Sequence, residues 1–353
     1  MDLHGAFDAP VPAVVLAEGA FGTTEGKTAN GVVMHSELFE ARAVVDSARA
    51  GRTAADVLGR DDVADVPVVA SVDAALERAP ETEALVIGVA PAGGQLPDAW
   101  VEDIERAMRA GCDVVSGLHT FLSERPRWQE LAAESGVRLF DVRKPPAGDD
   151  LRVGDGRVDD VDADVVLTMG TDCAVGKRTT TFELYRAARE AGLDAGWVAT
   201  GQTGIMVGAH RGVVVDRVPA DFTAGVVEDL VCAVAEDHDF VFVEGQAALT
   251  HRAYSGVTLS LLHGANPDAV VLVDDPDREG RADFERFSVA GVEREVAAIE
   301  SLAGSPDETE TPVAALSTWG DADEQSAAWG LPAGNVYDDG GPERLLDAVL
   351  DAL

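Results

Sequence analysis

Short apolar runs alternate with helix-length amphipathic stretches from one end of the chain to the other, the pattern of parallel sheets joined by crossover helices. In the first part, strands are predicted at 13–17, 43–45, 67–70, 84–89, 114–116 and 137–141, with helices at 72–78 and 98–110. A segment rich in Pro, Gly and Asp, from Lys144-Pro145-Pro146 through Asp162, then interrupts the pattern. A second series follows, with strands at 164–169, 196–200, 240–244, 269–273 and 313–317 and a closing helix at 342–353. A helix from Lys177 to about residue 191 follows the first of these strands, and the polar segment SPDETET at 305–311 reads as a solvated connector.

The predicted fold class is therefore α/β, with two doubly wound domains and mostly parallel sheets. The N-terminal domain (1–146) is expected to be Rossmann-like, 147–162 a linker, and the C-terminal domain (163–353) P-loop NTPase-like. The length of 353 residues agrees with two domains at roughly 150 residues each.

Charge changes this picture. Asp and Glu total 64 against 27 Lys and Arg, a formal net charge of −37, and only three of the cations are lysines (Lys27, Lys144, Lys177). The acids are spread along the whole chain rather than gathered in a tail, so they read as adaptation to high salt, where a Debye length of ~3 Å at 1 M screens their repulsion. A nucleic-acid partner is disfavoured because phosphate binding needs a basic face. No positively charged, apolar leader opens the chain and no run of about 18 apolar residues occurs, so a cytoplasmic location with no membrane partner is expected. Cys112, Cys173 and Cys232 form neither a C-x-x-C motif nor a disulfide framework, and no metal site is expected.

The strongest chemical signal is Gly170-Thr171-Asp172-Cys173-Ala174-Val175-Gly176-Lys177-Arg178-Thr179-Thr180, placed after a buried strand and before a helix. The amides of such a loop and the helix N-terminus surround a phosphate, while the Lys ammonium neutralises its outer oxygens. A chain that uses Arg for nearly every cation places lysine here, where a compact charge suits a tight loop. The spacing carries one residue more than G-x-x-x-x-G-K-[ST] and resembles the loop of dethiobiotin synthetase-like proteins, G-T-D-x-x-V-G-K. Arg178 stands where a hydroxyl would hold Mg²⁺, which favours a phosphate ligand bound without metal, such as coenzyme A. Thr179 could take over the metal role, so ATP with Mg²⁺ remains the alternative.

Glu244, ending an apolar strand in Val243-Glu244-Gly245-Gln246, should face the same crevice and is a candidate general base or metal contact. His251, in His251-Arg252-Ala253-Tyr254, reads as an acid/base group or as a solvated loop histidine. Gly201-Gln202-Thr203-Gly204 is a glycine-rich strand end suited to close approach by a ligand. In the first domain, Glu18 through Thr28 follows a strand, but its glycines at 19, 22 and 26 do not fit G-x-G-x-x-G, and Asp46 is weak support for a dinucleotide site. Residues 90–94 form another strand-end loop. His119 is a further candidate substrate contact, and Arg143 with Lys144 could close over an anionic substrate between the domains.

The blocks AEGAFGTTEGKTANG, GVAPAGG, SGLH, DVRKPP, GTDCAVGKRTT, TGQTGIM, VEGQ and HRAYSGVTLSLLHG together resemble a two-domain family long described as of unknown function, some of whose members are D-glutamate N-acetyltransferases. The likeness runs from about Val14 to Asp274. It implies that acetyl-CoA, with its phosphates on the loop, acetylates the amine of an acidic amino acid. Glu244 or His251 would then be the base, amides of 201–204 the oxyanion donors, and Arg252 or Arg143 the partner of substrate carboxylates. An ATP- and Mg²⁺-dependent ligase or kinase, a non-catalytic nucleotide or coenzyme sensor, and a nicotinamide-dependent oxidoreductase are the competing readings. A homo-oligomer is the expectation for such an enzyme.

Overall fold

The computed structural model describes residues 1–91, 96–303 and 312–353. The chain divides into two compact units, Met1–Lys144 with Ile205–Gly208, and Pro145–Gly204 with Ala209–Leu353. The polar connector at 305–311 and residues 92–94 of the strand-end loop lie outside the described residues.

The first unit is built on a six-stranded parallel sheet of β1 (Val11–Leu16), β2 (Phe39–Val45), β3 (Val68–Val69), β4 (Ala84–Ile87), β5 (Asp113–Ser116) and β6 (Leu139–Asp141). Their spatial order is β3-β2-β1-β4-β5-β6, so the chain reverses direction across the sheet between β1 and β4, as in Rossmann-like folds. Helices cover such a sheet on its faces, which is why β1 and β4 read as unbroken apolar runs. Val14, Leu16, Leu85 and Ile87 pack there with Trp100, Ile104 and Trp128 from the helices Asp98–Arg109 and Pro126–Ser135. The helix Val72–Arg78 starts where Ser71 accepts the Ala74 amide on its hydroxyl. At the end of β2, Asp46 is fully buried and accepts hydrogen bonds from the amides of Phe21 and Ala48 and from Arg49 Nη1 at 2.9 Å. The acid that a dinucleotide would need for its ribose is thus engaged by the protein itself.

The second unit holds seven parallel strands: β7 (Asp164–Gly170), β8 (Ala195–Ala199), β9 (Arg211–Gly212), β10 (Phe240–Val243), β11 (Ala269–Asp274), β14 (Val313–Thr318) and β15 (Ala333–Gly334), ordered β15-β14-β11-β7-β10-β8-β9. Its core joins Val165, Leu167, Val243, Leu272 and Leu316 of the strands to Val227, Leu262 and Ile299 of the covering helices. A separate antiparallel pair, β12 (Gly280–Arg281) and β13 (Phe284–Ser288), follows β11. The sequence pattern does not predict it, because its strands are short, of two and five residues, and carry no clean alternation. Residues 201–204, expected as an open strand end, instead lead into the helix Gln202–Val207.

Among the described residues no helix is long and apolar enough to cross a membrane. Eight acidic side chains are buried among those residues, so most of the negative charge lies on the surface. Such a surface repels itself in dilute buffer and is screened in brine. The melting temperature is expected to rise steeply as KCl goes from low to molar concentration; equal melting temperatures at the two extremes would refute adaptation to salt.

Candidate functional site

β7 runs through the middle of the second sheet, flanked by β10 and β11, and its carboxyl end delivers the chain into the loop 170–176 where ligands of parallel sheets collect. Two residues of the loop are left-handed, Ala174 at φ +54° and Gly176 at φ +105°. A Cβ on Gly176 would also lie 3.3 Å from Trp319 Nε1, so both the dihedral and the space call for glycine. The helix Lys177–Glu190 then begins with no side-chain cap, leaving its first amides to whatever the loop encloses.

Lys177 is buried, and its Nζ donates to the Asp172 carbonyl at 2.5 Å. Burial pushes the ammonium down to about 8. Arg178 comes next on the helix; burial lowers its proton affinity while Glu244 opposes the shift. Among the described residues its Nη1 is a buried donor with no hydrogen-bond partner, an arrangement that costs free energy unless a ligand completes it. The hydroxyls of Thr180 and Thr181 are otherwise occupied. Thr180 pairs with Ser317 at 2.9 Å, and Thr181 donates to the Lys177 carbonyl at 2.8 Å.

Glu244 follows β10, the strand beside β7, and is 4% exposed. Burial pushes its carboxyl up to about 7, against the pull of Arg178 and of the amides of Thr200 and Gly201. The Thr200 amide reaches Oε2 at 3.1 Å, and the Thr200 hydroxyl donates to the Glu244 carbonyl at 2.7 Å. These contacts correct one expectation: the Gly201 amide serves Glu244 and is not an open oxyanion donor. A Cβ on Gly204 would come within 2.6 Å of Glu244 Oε2, which is why glycine stands there. Gln202 and Thr203 occupy the same turn at the start of the helix Gln202–Val207.

His251 is completely enclosed. Its Nδ1 accepts the Ala253 amide at 3.2 Å, which fixes the neutral ring as the Nε2–H tautomer. Among the described residues Nε2 has no hydrogen-bond partner, and it lies 3.8 Å from Asp172 Oδ1. Burial and the neighbouring Arg281 hold the imidazole below its ordinary range. With the proton on Nε2 and the lone pair on Nδ1 spent, His251 is placed to donate rather than to accept.

Asp172 is the hub of this side of the loop. Its carboxylate takes Arg281 Nη1 at 3.2 Å, Arg278 Nη1 at 3.5 Å and the Ala282 amide at 2.8 Å. Arg281 also reaches the Thr171 carbonyl and the Thr250 hydroxyl, and Arg278 the Cys173 carbonyl at 2.6 Å. Thr171 Oγ1 in turn donates to Asp274 at the end of β11, 2.6 Å away. Asp172, Cys173 and His251 bring potential metal-ligating atoms within 4.8 Å of one another. Two guanidiniums already occupy the carboxylate and the imidazole presents its N–H, so the group does not fit a cation. Burial raises the Cys173 thiol, which is therefore not an activated nucleophile.

The remaining sequence-predicted residues are placed differently. Arg252 is exposed, with its guanidinium 5.0 Å above the Phe287 ring. His119 and Arg143 belong to the first unit, His119 exposed and Arg143 buried with Nε donating to the Gly117 carbonyl at 2.8 Å. The sequence reading missed Arg278, Arg281 and Glu295; the last is buried and accepts from the Thr250 hydroxyl at 2.7 Å and from the Leu249 amide. Isolated charges in an acid-rich sequence carry no spacing signal. The concentration of arginines at 278, 281 and 286 in a chain short of cations was the one available clue.

Comparison with known proteins agrees with this architecture. Residues 47–145 match the DUF1611 N-terminal Rossmann-like domain and residues 152–346 the DUF1611 C-terminal P-loop domain, each described as a domain of unknown function. A protein of Tritonibacter scottomollicae named D-glutamate N-acetyltransferase is 34% identical over 286 residues, covering 77% of this chain and 82% of that one. One of the same name from a Pseudoalteromonas species is 38% identical over 187 residues, covering 53% of this chain and 54% of that one. The crystal structure of a DUF1611 family protein from Anabaena variabilis superposes with a TM-score of 0.86 at 33% identity, over 97% of this chain and 99% of the other. The matches cover both of the sheets described above, and the chain belongs to the DUF1611 family of Rossmann-like and P-loop domain pairs.

Proposed function

We propose that the protein is an N-acetyltransferase that moves the acetyl group of acetyl-CoA to the amine of D-glutamate, with the coenzyme's phosphates on the loop 170–176. The observation that carries the reading is the juxtaposition of buried Lys177 and half-buried Arg178, whose Nη1 is out of solvent, with the buried carboxyl of Glu244, near neutrality in its titration. Cations held out of water attract phosphate oxygens strongly, and a carboxylate poised near pH 7 takes and returns protons. The names of the two relatives point the same way.

In this scheme the neutral amine attacks the thioester carbonyl, a C–N bond forms, and the carbonyl electrons move to oxygen. Glu244 takes the amine proton as the nitrogen becomes cationic. The C–S bond then breaks, and the proton passes to the departing thiolate, leaving an amide and free coenzyme A. His251 Nε2–H and the amides at the start of the helix Gln202–Val207 are the candidate donors to the oxyanion, and Arg252 the candidate partner of a substrate carboxylate. The scheme uses no acyl-enzyme, and burial, which raises the Cys173 thiol, disfavours that residue as a nucleophile.

One observation favours this reading over ATP with Mg²⁺. Arg178 stands where a metal-binding hydroxyl would be and lies close to Glu244, the other acid a metal would use, so a guanidinium and a divalent cation would compete for one place. Acetylation of D-glutamate, followed by mass spectrometry in molar KCl, is expected to proceed in the presence of EDTA and to be lost in Lys177→Ala. Turnover that needs ATP and Mg²⁺ and ignores acetyl-CoA would overturn the reading.

The pH profile follows from the same groups. Glu244 must be ionised to act and Lys177 protonated to hold phosphate, so kcat/KM rises as pH passes about 7 and falls beyond about 8. Glu244→Gln should lower turnover by ~10²- to 10⁴-fold. The folded protein keeps the Glu244 proton up to about 7, while an unfolded chain releases it near 4.5, so folding stability falls as pH rises through that window. Glu244→Gln removes that loss, and at pH 8 its melting temperature should equal or exceed wild type. Wild-type turnover in the variant would overturn the base assignment.

A further inference from the structure

Trp319 and Tyr337 are large aromatic side chains that remain 51% and 55% exposed. Trp319 follows β14 and Tyr337 follows β15. Their ring centroids lie 5.3 Å apart at 58°. Trp319 is anchored to the phosphate-type loop itself: its Nε1 donates to the Val175 carbonyl at 2.5 Å, and its ring lies against Gly176. An indole fixed by its N–H with half its surface left to solvent is a pre-organised flat face, and burying it would be favourable.

The surroundings choose the occupant. Asp321 and Asp323 follow Trp319 in sequence, Asp338 and Asp339 follow Tyr337, and the open cleft of about 250 Å³ beside Tyr337 adds Glu343 together with Glu183 and Glu190, between which Arg186 is paired. An anionic group is repelled there, whereas a neutral flat ring bearing an amine finds both a stacking face and acceptors for its N–H groups. The other aromatic group near the loop, Phe284 and Phe287, carries Arg252 and Arg286 over Phe287 and has the opposite polarity.

Topology gives the same assignment. In the sheet order β15-β14-β11-β7-β10, the aromatic pair sits at the ends of the strands on one side of the phosphate loop and Glu244 at the end of the strand on the other. The ligand this order fits has a base at one end, phosphates in the middle and its reacting group at the far end. We infer that Trp319 and Tyr337 form the purine subsite of the loop, taking the adenine of coenzyme A while its phosphates lie on Lys177 and Arg178. The identity of the coenzyme rests on the acetyl-transfer reading; the purine subsite itself does not.

Isothermal titration in molar KCl of wild type, Trp319→Ala, Tyr337→Ala and Trp319→Phe tests this with coenzyme A, inorganic pyrophosphate and ATP with Mg²⁺. Loss of base stacking should weaken coenzyme A by ~5- to 100-fold in each alanine variant and leave pyrophosphate unchanged. Trp319→Phe, which keeps a ring but not the bond to Val175, should stay close to wild type. Equal weakening of coenzyme A and pyrophosphate would mean that Trp319 only shapes the loop, and unchanged coenzyme A affinity would mean that no base stacks there; either result overturns the subsite. Binding of ATP with this aromatic dependence but no binding of coenzyme A would uphold the subsite and remove the acetyl donor. Intact acetylation with unaltered affinity in both alanine variants would do the reverse.

Discussion

Lys177 and, through its buried Nη1, the half-buried Arg178 hold positive charge away from water at the start of one helix, and the carboxyl end of the second sheet is arranged around that cost. A buried cation is tolerated only when dipoles, carbonyls or counter-charges replace its hydration. Lys177 finds the Asp172 carbonyl within its own loop, an arrangement a phosphate can displace without moving the backbone. Arg178 finds Glu244 nearby but leaves one nitrogen unmatched. The raised carboxyl of Glu244 and the lowered ammonium of Lys177 are two sides of this desolvation, in which burial outweighs their mutual attraction.

The loop keeps its shape because its acid is claimed from outside. Asp172 is gripped by Arg281, Arg278 and the Ala282 amide, all from the segment around β12, so that hairpin fastens the first half of the loop, while Trp319 lies against Gly176 and donates to the Val175 carbonyl in the second. Glu295 completes the framework by tying the Leu249 and Thr250 amides in place just before His251. Pre-organisation of this kind spends protein contacts in advance so that a ligand need not order the loop.

Much of this was legible in the sequence, for identifiable reasons. Strands buried on both faces leave unbroken apolar runs, so β1, β4, β7, β10 and β11 stood out, and the strand–loop–helix context of Lys177 made the phosphate loop plain. Glu244 could be placed because a residue ending a parallel strand must face the ligand side of the sheet. The β12–β13 pair was not legible, since strands of two and five residues without a clean alternation carry no period. Nor was the fate of the 201–204 amides: sequence shows that glycine permits close approach, but not that the approaching group is the Glu244 carboxylate rather than a ligand. His251 illustrates a third limit. Its enclosure and its tautomer depend on one backbone amide, that of Ala253, which no residue-type pattern encodes.

The acidic surface and the buried cations belong to one argument. If the net charge of −37 is an adaptation to molar salt, surface charges there act over only ~3 Å, and an exposed arginine loses most of its hold on an anion. Pairs removed from solvent are screened far less. An anion-binding site working in brine therefore cannot rely on a basic face to draw its ligand in; it must bury its cations where salt cannot reach. Lys177 and Arg281 are placed in that way, as is Nη1 of the half-buried Arg178, whereas Arg252 and Arg286, left on the surface, are held by the face of Phe287. The scarcity of lysine elsewhere and its presence at the centre of the loop are then two consequences of one solvent.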